Sequence, residues 1–132
     1  MPFRLNVRYA ETDAMGVAHH SAYVVWLEAA RVHWLKERGL NYRDLETGGV
    51  NLAVSGVTLD YRTSAKFDDE VVIDTQLTEV KSRRLRFEYV LTRPDGTLLA
   101  KGSTLHTPMN RAGKVTRVPP EWLGRLQGLL EA

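Results

Sequence analysis

The chain contains no cysteine. A disulfide framework, a thiolate nucleophile and a thiolate-held metal are therefore excluded, and a reducing cytoplasm is the expected compartment. No segment approaches the ~20 consecutive apolar residues of a membrane span. The first residues, MPFRLNVRYA, lack the apolar core and cleavage site of a secretory signal. Internal repeats, low-complexity tracts and Pro/Gly-rich linkers are also missing, so residues 1–132 are expected to form one domain around one core. Charge of one sign is scarce in excess: 18 basic against 16 acidic side chains, a net +2. That imbalance is too small to imply nucleic acid. At 43% hydrophobic and 26% charged residues, the composition is that of an ordinary globular protein.

Familiar catalytic signatures are missing as well. No G-x-S-x-G turn presents a serine nucleophile, and neither G-x-x-x-x-G-K-[ST] nor G-x-G-x-x-G offers a nucleotide cradle. The histidines are His19, His20, His33 and His106, with no H-E-x-x-H pair among them. Adjacent His19 and His20 point apart in an extended segment, so no metal site and no cofactor are expected.

What is present is clear periodicity. Phe3, Leu5, Val7 and Tyr9 alternate with polar residues over 3–9, which predicts a half-buried strand. Residues 21–38 predict the principal helix, with Ser21 as N-cap, Lys36 and Arg38 at the dipole's negative end, and Gly39 as terminator. From Ala22 to Leu27 this helix is apolar on nearly every face, which predicts that other structure encloses it. A short helix is expected at 42–46. Strands follow at 52–63 (with Gly56 as a bulge or close approach), 70–80, 84–92 and 98–109, and a last helix at 121–132. Within 84–92 the inward set is Leu85, Phe87, Tyr89 and Leu91; RPDGT (93–97) predicts the turn of a hairpin. The resulting class is α+β: one central helix against an antiparallel sheet, long enough to suggest pairing with another subunit.

Two segments carry possible chemistry. In ETDAMGVAHHSAY (11–23), Asp13 lies in the loop before the helix. One reading is local: aspartate closes turns by hydrogen bonding to nearby backbone. The other is catalytic. A helix N-terminus offers unpaired N–H groups to a carbonyl oxygen, and a carboxylate beside it can attack the carbonyl carbon or activate a water. The second segment, KSRRLR (81–86), gathers Lys81, Arg83, Arg84 and Arg86. It suits a phosphate-bearing ligand, or equally a solvated hairpin edge protected against pairing. Glu11 reads as solvated or as a turn residue. Glu28 can orient the site loop or pair with Arg31. Tyr23 and Trp26 read as helix packing, and His106 as sheet packing.

RYAETDAMGVAHHSAYVVWLEAAR (8–31) resembles the signature of hotdog-fold acyl-CoA thioesterases, with Asp13, Gly16, Tyr23 and Glu28 at the family's spacing. The branch it looks like is the 4-hydroxybenzoyl-CoA thioesterase type, including short-chain enzymes associated with the bacterial Tol–Pal cluster. LDYRTSAKFDDEVVI (59–73) resembles the next block, a tyrosine and small residues before an acidic pair. The resemblance implies a curved antiparallel sheet of about five strands wrapped around one long helix. It also implies a homodimer, commonly doubled to a tetramer, with sites at the dimer interface. By the same resemblance Asp13 is the catalytic carboxylate and the backbone N–H of His20 the oxyanion contact. Gly16, His19, Tyr23 and Ser64 fall on the substrate side, and Lys81, Arg83 and Arg84 face the coenzyme A phosphates. His19 departs from the family's commoner tyrosine or tryptophan, which bears on the acyl pocket.

The expected activity is hydrolysis of an acyl-CoA to free acid and coenzyme A, the latter being part of the substrate. The alternative is a non-catalytic hotdog module that binds acyl-CoA or acyl-carrier thioesters. A dehydratase of the same fold lacks its histidine–aspartate motif here, and a nucleic-acid role for KSRRLR lacks interleaved aromatics.

Overall fold

In the computed structural model, which describes residues 1–131, the period-two segments pair into one five-stranded antiparallel sheet. Its strands are β1 (Phe3–Asn6), β2 (Val50–Tyr61), β3 (Glu70–Lys81), β4 (Arg84–Thr92) and β5 (Leu98–Asn110), in spatial order β1-β3-β4-β5-β2. Three α-helices complete the described residues: α1 (His20–Glu37), α2 (Tyr42–Thr47) and α3 (Pro120–Glu131). The expected end of α3 at Ala132 lies outside the described residues. The sheet curls into a half-barrel around α1, the hotdog arrangement. Register shifts between Val54 and Gly56 and between Leu77 and Glu79 are bulges, which sharpen twist and bend a sheet.

Helix α1 lies on the sheet through Ala22, Tyr23, Trp26, Leu27, Ala30, Trp34 and Leu35, a stripe recurring every three to four residues. Beneath it Leu85, Phe87, Tyr89 and Leu91 of β4 are buried, the inward set expected from the alternation. Trp34 meets Phe87 edge to face at 5.6 Å. Gly102 of β5 is a point of close approach: a Cβ there would stand 3.1 Å from the Thr58 carbonyl and 3.4 Å from Leu27 Cδ1. The helix ends as predicted. Gly39 takes φ +76°, its N–H donates to Lys36 O, and Leu40 N–H donates to Leu35 O, the paired bonds of a Schellman motif.

Three expectations need correction. The first strand stops at Asn6, because Val7 exchanges backbone hydrogen bonds with Asp68 and Asp69 and the chain then enters a 3-10 turn at Tyr9–Glu11. Tyr9 is consequently exposed, edge to face with Phe67, rather than inward. The N-cap of α1 is His19, not Ser21: His19 N–H is held by Glu11 O, which fixes the extended residue two positions earlier. Finally, α1 is enclosed on one side only within a single chain. Its outer face leaves Val24 and Val25 open at 41% and 54% exposure.

One polar chain crosses the core. Half-buried Arg31 donates to Tyr89 Oη at 3.1 Å, Tyr89 Oη and Thr104 Oγ1 lie 2.7 Å apart, and His106 Nε2 is 2.8 Å from Thr104 Oγ1. His106 is fully buried against the Phe87 ring, the packing role expected of it. Burial, helped by the nearby Arg31 cation, pushes its imidazole down to about 4 from the ordinary 6.5. Between those values the unfolded chain binds a proton that the folded chain refuses. Stability is therefore predicted to be full above about pH 6.5 and to fall as pH drops toward about 4. Urea unfolding of wild type and His106→Gln at pH 7 and pH 5 checks this: the wild type should lose more stability between the two, and parallel losses would contradict it.

Candidate active site

The ETDAMG loop is built by its own hydrogen bonds. Asp13 N–H donates to Val17 O at 2.9 Å, and Gly16 N–H returns to Asp13 O at 3.0 Å. Asp13 Oδ1 accepts from Met15 N–H at 2.8 Å and Val17 N–H at 3.4 Å, the side-chain-to-backbone turn that aspartate favours. Gly16 sits in the turn with φ +77°, a left-handed conformation disfavoured for residues with a Cβ. Thr12 bridges to Ala18 and Val17 to Lys66, and Ala18 N–H donates to Ala65 O at 2.8 Å. These bonds dock the loop on the segment after β2.

Glu11 ties that loop to the helix. Its Oε1 accepts from Arg8 N–H at 2.8 Å, and its Oε2 accepts from Trp26 Nε1 at 2.8 Å and Arg8 Nη2 at 3.2 Å. The Glu11 side chain is only 10% exposed. Burial alone would raise its carboxyl, but the Arg8 N–H, the Arg8 guanidinium and the Trp26 indole outweigh it and hold it below the usual carboxylate range. Because Glu11 O also accepts from His19 N–H, one residue sets where α1 begins. Reading Glu11 as solvated understates it; its partner Trp26 is remote in sequence and met only through the fold.

The helix start is uncapped. His19 makes no side-chain cap bond, and among the described residues neither His20 N–H nor Ser21 N–H has a protein acceptor. His20 borders a cleft of about 320 Å³, with Ser21 next to it in the chain. One wall is Asp13, Val17, Ala18, His19, His20 and Tyr23; the other is Tyr61, Arg62, Thr63 and Ser64 at the end of β2. Asp13 Oδ2 makes no hydrogen bond within the described residues, so one carboxylate oxygen serves the turn and the other is available to the cleft. Tyr23 is buried, as helix packing requires, and its Oη accepts from Ala65 N–H at 3.3 Å; its edge still reaches the cleft. Asp69 supports the second wall. Asp69 Oδ2 accepts from Lys66 N–H and Arg93, while Arg93 Nη2 also holds Ser64 O. No group of three or more histidine, aspartate or glutamate side chains among the described residues is arranged to hold a metal ion.

A family model for the thioesterase-like superfamily matches residues 7–126. The chain belongs to that superfamily. It is 34% identical to the Haemophilus influenzae acyl-CoA thioesterase YbgC over 88% of this chain and 85% of that protein. A hypothetical protein from Thermus thermophilus superposes with TM-score 0.91 at 43% identity, covering 97% of this chain and 98% of that one. The DHNA-CoA thioesterase of Staphylococcus aureus superposes with TM-score 0.94 at 27% identity, covering 98% and 90%.

Of the site residues expected from sequence, this thioesterase-like chain brings Asp13, His19, His20, Tyr23 and Ser64 into one cleft, and Gly16 shapes its loop without forming a wall. Lys81, Arg83 and Arg84 lie elsewhere. Tyr61 shares a row with Ala100, Leu91 and Ile73, and β3 runs from Ile73 to Lys81, roughly 25 Å along the strand at ~3.3 Å per residue. There Lys81 faces Arg84 across the hairpin, and Glu79 pairs with both. Glu28 adopts neither expected role: it is exposed, and Arg31 turns to Tyr89 instead. Tyr61, Arg62 and Thr63 join the cleft without having been expected there, although they stand in the block resembling the family.

Glu11→Gln should leave the fold in place and lower stability by about 1–3 kcal/mol, the scale of a hydrogen bond to a charged group. Urea denaturation followed by tryptophan fluorescence measures this. Unchanged stability would show that the loop is held by its backbone bonds alone.

Proposed function

We propose that the chain is an acyl-CoA thioesterase in which Asp13 and the start of α1 act on the two ends of one carbonyl. The observation that carries this reading is the meeting, in a single cleft, of Asp13 and His20, whose carboxylate Oδ2 and backbone N–H have no hydrogen-bond partner among the described residues. The thioester oxygen accepts from His20 N–H, with Ser21 N–H beside it, so that charge developing on the oxygen meets fixed donors and the positive end of the helix dipole. Asp13 Oδ2 then takes a proton from water, the oxygen of which attacks the carbonyl carbon. Collapse of the tetrahedral intermediate breaks the carbon–sulfur bond, and the departing thiolate is protonated to coenzyme A. In the covalent variant Asp13 itself attacks the carbonyl carbon, and the carbon–sulfur bond breaks to release the coenzyme A thiolate, which takes up a proton. Water then hydrolyses the resulting mixed anhydride to the acid and free Asp13. The site serves both routes. Within the superfamily, the spacing of Asp13, Gly16 and Tyr23 supports assignment to the 4-hydroxybenzoyl-CoA type and its Tol–Pal-associated branch.

The working unit in this reading is a homodimer, doubled to a tetramer, in the cytoplasm. Val24 and Val25 on α1 and Val54 and Val57 on edge strand β2 are exposed valines in one chain, which supports pairing through these elements. Lys81, Arg83 and Arg84 are too far from Asp13 in the same chain to share a substrate with it easily, so they reach the coenzyme A phosphates from a neighbouring copy. No helix among the described residues is long and apolar enough to cross a membrane.

The test is free-thiol release from a panel of aliphatic and aromatic acyl-CoA substrates by wild type and Asp13→Asn. Asparagine retains Oδ1 for Met15 N–H, so the variant should fold normally while kcat falls by about 10²–10⁴. Near-normal turnover would remove Asp13 from the chemistry. Tight thioester binding without turnover in the wild type would mark a binding module instead.

A further inference from the structure

We infer that Tyr61 is a positioning residue for the oxyanion donors, acting through the peptide between His20 and Ser21. Tyr61 is the last residue of β2, fixed by its register with Ala100. Its hydroxyl donates to the carbonyl oxygen of His20, the first residue of α1, at 3.1 Å. Its ring lies 4.7 Å from the His20 ring at a 33° tilt and stands edge-on to Tyr23 at 4.9 Å. The residue whose N–H is the first oxyanion donor is thus held from two sides, by a stacked ring and by a hydrogen bond at its own carbonyl.

The consequence is electronic as well as geometric. The His20 carbonyl and the Ser21 N–H belong to one peptide unit. A donor at that oxygen polarises the unit and strengthens its N–H as a donor, since linked hydrogen bonds reinforce each other. Burial, with a smaller effect from Tyr23, raises the Tyr61 phenol above its usual value, so the hydroxyl keeps its proton through neutral pH. Tyr61 also lines the same cleft as Asp13, which places this tie at the proposed substrate site. The tie offsets an unusual weakness: an uncapped helix start free to fray would not keep preorganised donors.

The kinetic part of this proposal rests on the thioesterase reading, and the peptide tie on the structure alone, so the experiment reads both. Tyr61→Phe preserves the ring contacts and removes only the hydroxyl. In the ligand-free protein the Ser21 amide proton resonance should move upfield. In free-thiol assays on an acyl-CoA that the wild type hydrolyses, kcat should fall about tenfold with KM changed less than about twofold, short of the ~10²–10³ lost with a direct oxyanion donor. An unmoved Ser21 amide, an unchanged kcat, or an effect confined to KM would overturn the assignment. A moved Ser21 amide in a protein whose wild type hydrolyses no thioester would support the tie while overturning the thioesterase reading.

Discussion

The site depends on the carboxylate of Glu11. It binds the Trp26 indole on one side and the Arg8 backbone on the other, while the Glu11 carbonyl holds the N–H of His19. Trp26 is buried on the face of α1 that packs on the sheet. Packing in the core is thereby converted into the position of a loop: the helix seats Trp26, Trp26 seats Glu11, and Glu11 decides where the helix starts. A hydrogen bond to a charged group in so enclosed a place is stronger than a neutral one, and this one has three donors.

With the loop fixed, the cleft arises from two ordinary structural devices left half used. An aspartate closes its turn with one oxygen and leaves the other without a partner among the described residues. A helix begins without the serine, threonine or aspartate cap that would occupy its first N–H groups. Together they leave a carboxylate oxygen and a helix N–H without hydrogen-bond partners among the described residues on one cleft. The opposite wall comes from the end of β2 and is buttressed by Asp69 and Arg93, so the cleft spans loop, helix and sheet.

Much of this is legible in the sequence because it is local. Alternation reveals the inward set Leu85 to Leu91, and Gly39 reveals the end of α1. Of the two readings of Asp13, the turn is visible in three dimensions, closed by Oδ1, while Oδ2 makes no hydrogen bond among the described residues. What stays hidden depends on distance. Glu11 and Trp26 meet across fifteen positions, Tyr61 reaches His20 across forty-one, and Arg31 prefers Tyr89 on the sheet to Glu28 on its own helix. Ser21 looks like the cap by residue type, but a remote carbonyl sets the helix start at His20 instead. KSRR is visibly a basic cluster, yet its remoteness from Asp13 follows only from strand register.

A crystal structure with a non-hydrolysable acyl-CoA analogue tests the shared carbonyl site most directly. The analogue's carbonyl oxygen should accept a hydrogen bond from His20 N–H, with Asp13 Oδ2 facing the carbonyl carbon directly or through one water. A carbonyl bound away from the start of α1, with Asp13 turned only to its own loop, would contradict the mechanism.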